Sequence, residues 1–271
     1  MDSLRLIDQW PVPHAAAVVI RRDGTLAGSY GPLDQDFALA SVTKPLTAYA
    51  ALVAYEEGVF ELDDPAGPEG STVRHLLAHT SGLAFDEHRV QAAPGTRRIY
   101  SNAGFEVLAD TIAKAAGMPF ASYLDEAVLH PLGMTGTRLD GSPAAGAVST
   151  ASDLGRFAAE VLAPRLLHES SMALATSVAF PGLRGVLPGY GMQDPNDWGL
   201  GFEIRGHKSP HWTGARSAPT TFGHFGQAGT FLWFDPAAGA ACAVLTDRPF
   251  GPWTTPLWPT LTDTILSDLS A

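Results

Sequence analysis

This 271-residue chain is poor in lysine, poorer in cysteine, and free of long apolar runs. Cys242 is the sole cysteine, so no internal disulfide can staple the fold. It sits in an apolar strand-like run, residues 240–245, with no basic neighbour, and reads as a buried inert thiol. No stretch approaches the roughly 20 apolar residues of a membrane span. Acidic residues break up positions 1–10, and the apolar run 15–20 is too short for an export signal and ends in Arg21 and Arg22. A cytoplasmic protein without a membrane partner is therefore expected. Charged residues make up only 17% of the chain against 45% hydrophobic, which excludes a disordered polymer. The net charge of -11 argues against nucleic acid as a partner. It leaves a small-molecule substrate open.

Several motifs are also missing. Gly-x-Ser-x-Gly, Gly-x-Gly-x-x-Gly and the Walker A pattern do not occur, so neither a strand-to-helix serine elbow nor a nucleotide site has a warrant. His75 and His79 have the i, i+4 spacing of a metal pair, but Leu76 stands where a zinc peptidase needs glutamate. His207 and His211 share that spacing, with Pro210 arguing against a helix. No Cys/His set completes either pair, so no metal and no cofactor is expected. The six tryptophans read as core or loop anchors in so acidic a chain.

What is present divides by pattern. Residues 15–22 and 25–30 flank Asp23-Gly24 and read as a β-hairpin. Helical periodicity dominates from 41 to 176, with blocks at 45–57, 73–79, 104–116, 120–129 and 151–162. Thr150 is placed to cap the last of these. Residues 177–220, rich in Gly, Pro and Trp, look like long loops. Strand patterns return at 220–225, 230–234 and 240–245, followed by a helical segment at 255–269. The expected fold is α/β of the α+β type. One antiparallel sheet is built from both ends of the chain, covered by terminal helices, with a mostly helical lobe beside it. The whole chain, 1–271, reads as one domain. Its sheet lobe takes residues 1–44 and 200–271, and its helical lobe 45–199.

Only three lysines occur, and only Lys44 follows a serine, Ser41, by three residues. Pro45 cannot lie deep in a helix, so Ser41 falls at or just before a helix start. Residues three apart on the first turn share a face, which sets an amine beside a hydroxyl at the positive end of a helix. That arrangement activates a serine without histidine. Alone it also fits an N-capping serine and a surface lysine. Tyr100, Ser101 and Asn102 form a second cluster, at a loop ahead of a helix. His224, Gly226 and Gln227 form a third, at a strand edge where glycine permits close approach to a ligand or another backbone.

In this order, Ser-x-x-Lys, Tyr-Ser-Asn and His-x-Gly resemble the serine β-lactamase and penicillin-binding-protein superfamily. The Tyr-Ser-Asn form is similar to the branch of class C β-lactamases, DD-peptidases and family VIII esterases. The phrases at 76–83, 130–134, 149–153 and 199–201 match that branch too. The resemblance implies that Ser41 is the acylated nucleophile and that Lys44 deprotonates it or holds its base. It makes Tyr100 a general base in concert with Lys44, and sets Asn102 to bond Lys44 or the substrate. The backbone N–H groups of Ser41 and Gln227 would form an oxyanion hole. An ammonium beside Tyr100 would favour its phenolate, while desolvation would depress the lysine pKa.

The third motif departs from the family's Lys-Thr-Gly. Phe225 has no hydroxyl, and a neutral His224 binds anions weakly. The expectation is therefore a carboxylesterase on small acyl esters. A β-lactamase or DD-peptidase, or a catalytically silent binding protein on the same fold, remains the alternative. Trp198, Trp212 and Phe222 are expected to line the acyl pocket. Oligomeric state is not legible.

Overall fold

The computed structural model describes residues 1–270. A 3-10 helix, Asp2–Gln9, leads into β1 (Ala15–Arg21) and β2 (Leu26–Tyr30). β3 (Phe37–Ala38) precedes a 3-10 turn, Ala40–Val42, that runs straight into α1 (Thr43–Glu56). The middle of the chain carries α2 (Val73–Leu77), α3 (Asn102–Ala116) and α4 (Phe120–Leu124), then β4 (Arg138–Leu139), β5 (Ala147–Ser149), α5 (Ala151–Leu162) and α6 (Glu169–Ala175). The last third holds β6 (Gly185–Leu187), β7 (Gly191–Gln193), β8 (Glu203–Ile204), β9 (Phe222–Gly226), β10 (Thr230–Asp235), β11 (Ala240–Thr246) and α7 (Thr254–Ser270).

Six strands form an antiparallel sheet in the order β2-β1-β11-β10-β9-β8. The expected closure from both ends is realised where β1 pairs with β11, Ala15 opposite Thr246 and Arg21 opposite Ala240. Side chains alternate across the sheet, and both faces are buried. Val18, Ile20, Leu232 and Leu245 enter one core, while Val19, Trp233 and Val244 enter the other. That is why these strands read as continuous apolar runs. On the second face lie α7 and the N-terminal 3-10 helix, through Leu4, Ile7, Trp258 and Ile265. The cover on the first face differs from expectation. It is α5, from the middle of the chain, packed on β1 and β11.

Local signals place the elements. Thr150 caps α5 by accepting from the Asp153 N–H at 3.1 Å. Ser101 caps α3 through the Gly104 N–H at 2.9 Å, and Gly117 ends it in the left-handed region. Block 120–129 is not one regular helix: α4 passes into a π-helical turn, Asp125–Leu129. Pro45 sits in the first turn of α1, where its missing N–H costs nothing. Twelve of the fourteen α1 residues are buried, an Ala-rich helix in the seam between sheet and helical lobe. The loop through Gly201 (φ +87°) touches it so closely that a Cβ there would fall 2.0 Å from Ala48 Cβ. Among the described residues no helix is long and apolar enough to cross a membrane.

Candidate active site

Ser41 lies in the 3-10 turn just ahead of α1, and Lys44 follows on the first helical turn. Ala40, between Leu39 and Ser41, is held at φ 46°, a strained value for a residue with a side chain. Strand β9 holds it there. A Cβ on Gly226 would lie 2.3 Å from the Leu39 carbonyl oxygen and 3.2 Å from Ala40 Cβ. Thr230 Oγ1 donates to that same carbonyl at 2.8 Å. The close approach expected of Gly226 is thus to the backbone that carries Ser41.

Lys44 is fully buried. Its Nζ lies 2.6 Å from Asn102 Oδ1, 2.9 Å from the Ala144 carbonyl and 3.3 Å from Ser41 Oγ. Burial drives its pKa well below the ordinary lysine value, and the Asp86 and Glu106 carboxylates only partly oppose this. Were the amine neutral, its two hydrogens would serve the two shorter contacts and its lone pair would face the Ser41 hydroxyl. Asn102 is fixed from the other side, because its Nδ2 donates to Asp86 Oδ1 at 2.7 Å.

Tyr100 stands in a ring of aromatic side chains. Centroids lie at 4.6 Å for His79, 5.7 Å for Trp198, 5.7 Å for His224 and 5.9 Å for Phe85. Its Oη is 3.4 Å from His224 Nε2. His224 Nδ1 lies 2.7 Å from the Phe225 carbonyl, which can only accept, so Nδ1 carries the hydrogen. Burial, with Lys44 as a smaller contribution, pushes the His224 pKa down to about 3. The ring is neutral, and its Nε2 accepts from the Tyr100 hydroxyl. Burial raises the Tyr100 pKa far above that of a free phenol, and the bond to Ser41 offsets only part of the rise. Burial likewise lowers the Lys44 pKa and so weakens the cation that would favour the phenolate.

The two histidine pairs do not come together as sites. His75 Nδ1 pairs with Thr72 Oγ1, while His79 Nδ1 accepts the Ser101 N–H at 3.1 Å and its ring backs Tyr100. His79 lies just past the end of α2, at φ 57°. That it also props the phenol was invisible in its spacing. Cys242 is buried in β11, and burial raises its thiol pKa.

Above Ser41 is a pocket of about 410 Å³. Tyr100, Trp198, Phe225, Leu187 and Pro188 supply most of its apolar wall, and Gln227 lies beside Ser41. Trp198 is where the sequence placed it. Trp212 and Phe222 are not. Trp212 lies in the core beside Phe225 and Phe231, and Phe222 stacks on Phe234 at 4.9 Å. Among the described residues no lysine or arginine lines the pocket. Its one carboxylate, Glu203, is buried and committed: Lys208 Nζ, His211 Nε2 and Trp212 Nε1 all contact it. Burial works against its ionisation, but His211 and Lys208 outweigh that and hold the carboxyl well below the usual range. Sequence reasoning missed Glu203, Lys208 and His211 because they lie in residues read as loop. A lone glutamate inside the apolar run 198–204 was the available signal.

Residues 6–263 match the family described as Beta-lactamase. The crystal structure of a β-lactamase from Mycobacterium bovis is 56% identical and superposes with a TM-score of 0.98, over 99% of this chain and 100% of that one. Penicillin-binding protein 4* of Bacillus subtilis is 32% identical over 136 residues, 38% of this chain and 30% of its own. Esterase EstB of Burkholderia gladioli is 33% identical over 152 residues, 38% of each chain. The chain spans less than half the length of these curated relatives. The matched residues include the Ser41 turn, the Tyr100 loop and strand β9 alike, and the protein belongs to the Beta-lactamase family.

Proposed function

We propose that this protein is a carboxylesterase of small acyl esters that works through an acyl-enzyme on Ser41. One observation carries the reading. A buried amine with a depressed pKa sits 3.3 Å from the Ser41 hydroxyl, under an apolar pocket with no cation to receive a substrate carboxylate. In the first step Lys44 takes the Ser41 proton as Oγ attacks the ester carbonyl carbon. Such positioned proton transfer contributes about 10²–10⁴-fold. The backbone N–H groups of Ser41 and Gln227 receive the developing oxyanion, each donor contributing on the order of 10²–10³-fold. Tyr100, a neutral phenol, gives its proton to the departing alkoxide and regains one from the Lys44 ammonium. Asn102 holds Lys44 in place throughout. Water then attacks the acyl-enzyme by the same route in reverse.

A β-lactamase or DD-peptidase is the second reading, favoured by the names of two relatives. Against it stand the neutral His224 and the apolar Phe225 at the positions where the family holds a carboxylate.

The test is intact mass after treatment with a fluorophosphonate, on wild type and Ser41→Ala, followed by turnover of 4-nitrophenyl butyrate and nitrocefin. One adduct on wild type, none on the variant, and faster ester than lactam cleavage are expected. An unlabelled wild type overturns the hydrolase reading and leaves a silent binding protein. Faster nitrocefin turnover transfers the assignment to a β-lactamase.

A further inference from the structure

A second, larger depression adjoins the acyl pocket. It is open to solvent, spans about 1120 Å³ and shares Phe85, Tyr100 and Pro188 with the pocket. Three of the seven large apolar side chains exposed on the molecule line it: Phe85 (49% exposed), Val186 (52%) and Met192 (59%). Such clustering marks a binding surface, since scattered exposed apolar residues are the norm.

Its charge runs against that of the molecule. The chain has 28 acidic residues against 17 lysines and arginines. Yet every charged side chain lining the groove is an arginine: Arg97, Arg98 and Arg184. Arg98 is buried and consumed by the carbonyls of Ala78, Ala179, Phe180 and Asn196. Arg97 and Arg184 are exposed. Among the described residues neither joins an ion pair. The backbone brings them together, because Arg98 N–H donates to the Arg184 carbonyl at 3.2 Å.

The groove also has a direction. Ser41 lines the pocket but not the groove, whereas Tyr100 lines both. Under the proposed function the leaving oxygen takes its proton from Tyr100, so the alcohol departs past the phenol and into the groove. From this juxtaposition we propose that the groove binds the alcohol half of the ester, and that this alcohol is an anionic amphiphile. An apolar segment rests on Phe85, Val186 and Met192, and a terminal carboxylate or phosphate meets Arg97 and Arg184. The short acyl group fills the pocket. This rests on the esterase reading of Ser41.

The experiment compares two nearly isosteric butyrate esters, of 3-(4-hydroxyphenyl)propionate and of 4-propylphenol. Phosphonates carrying the same two phenols as leaving groups repeat the comparison as rates of Ser41 labelling. The expected result is a preference of about tenfold in kcat/KM and in labelling for the anionic phenol, equivalent to roughly 1.4 kcal/mol over two exposed charges. It should shrink with added salt. It should be lost in Arg97→Glu/Arg184→Glu and kept in Arg97→Lys/Arg184→Lys. Equal rates for the two phenols, or a preference that survives the charge reversal, overturn the groove assignment alone. No hydrolysis and no labelling with either phenol overturns the esterase reading and this inference with it.

Discussion

Whether Lys44 carries its proton decides what each of its neighbours can do, and burial lowers its pKa. As an amine it satisfies Asn102 and Ala144 and still offers a lone pair to Ser41. Tyr100, with its pKa raised, then stays a hydrogen-bond donor. Under the proposed function Lys44 must be deprotonated to act, so activity is lost as pH falls through its lowered pKa. The expected kcat/KM profile on a neutral ester is a rise to a plateau, half-complete well below the ordinary lysine value of about 10.4. Lys44→Met should abolish that limb and reduce kcat/KM by about 10²–10⁴-fold. A profile still climbing through the range of free tyrosine would return the role of base to Tyr100. The helix start at Ser41 and Lys44 was legible in the sequence because it is a local signal, while Tyr100 and Asn102 were singled out by the family resemblance. The charge state was not legible. It depends on burial by Phe105, Tyr100 and the Ala144 carbonyl, brought in from distant positions.

At the scale of elements, residues 177–220 are the part that sequence reading left blank. Their Gly and Pro content did signal loops, and only short strands interrupt them. Apart from the lone Glu203 in an apolar run, no local pattern marks that their polar side chains turn inward. Glu203, Lys208 and His211 form a buried ionic cluster under the pocket, and Lys208 also reaches the carbonyls of Asp197 and Ile204. From the other side, Arg98 clamps the same segment to the end of α2. Breaking one partner out of a buried pair strands the other charge. Lys208→Met is expected to cost about 3–5 kcal/mol in urea unfolding. The double variant Lys208→Met/Glu203→Leu should recover part of this loss, since it removes the stranded carboxylate as well. Additive losses would mean that the pair is not coupled.

At the scale of the whole molecule, acid is the weak side. Burial lowers the pKa of His79, His211 and His224 alike. Above about pH 6.5 they are neutral both folded and unfolded, and titration leaves stability untouched. Below it the unfolded chain binds protons that the folded one refuses. Each such histidine then lowers stability by about 1.4 kcal/mol per pH unit until its folded pKa is reached. Glu203, with a depressed pKa, adds a second loss in the same direction below about pH 4.3. The urea midpoint should therefore hold near neutrality and fall steeply below about pH 6.5, less steeply in His224→Asn. A flat midpoint down to about pH 5 would show that these rings protonate within the fold. The α+β architecture itself was legible, because strand and helix periodicities segregate along the chain. The position of α5 over the sheet was not, since an amphipathic helix does not name the surface it covers.

The pairing of β1 with β11 has a consequence for the order of events during synthesis. The first strand leaves the ribosome long before its partner exists. It must wait, apolar on both faces, until nearly all of the chain has followed. The Ser41 turn waits with it, because Gly226 and Thr230, which brace that turn, also arrive late. Closing so long a loop adds little to the equilibrium cost but slows the search for the native pairing. A chain lacking its last strands would thus leave its first strand exposed and its Ser41 turn unbraced, so the proposed chemistry would have to wait for the final hairpin.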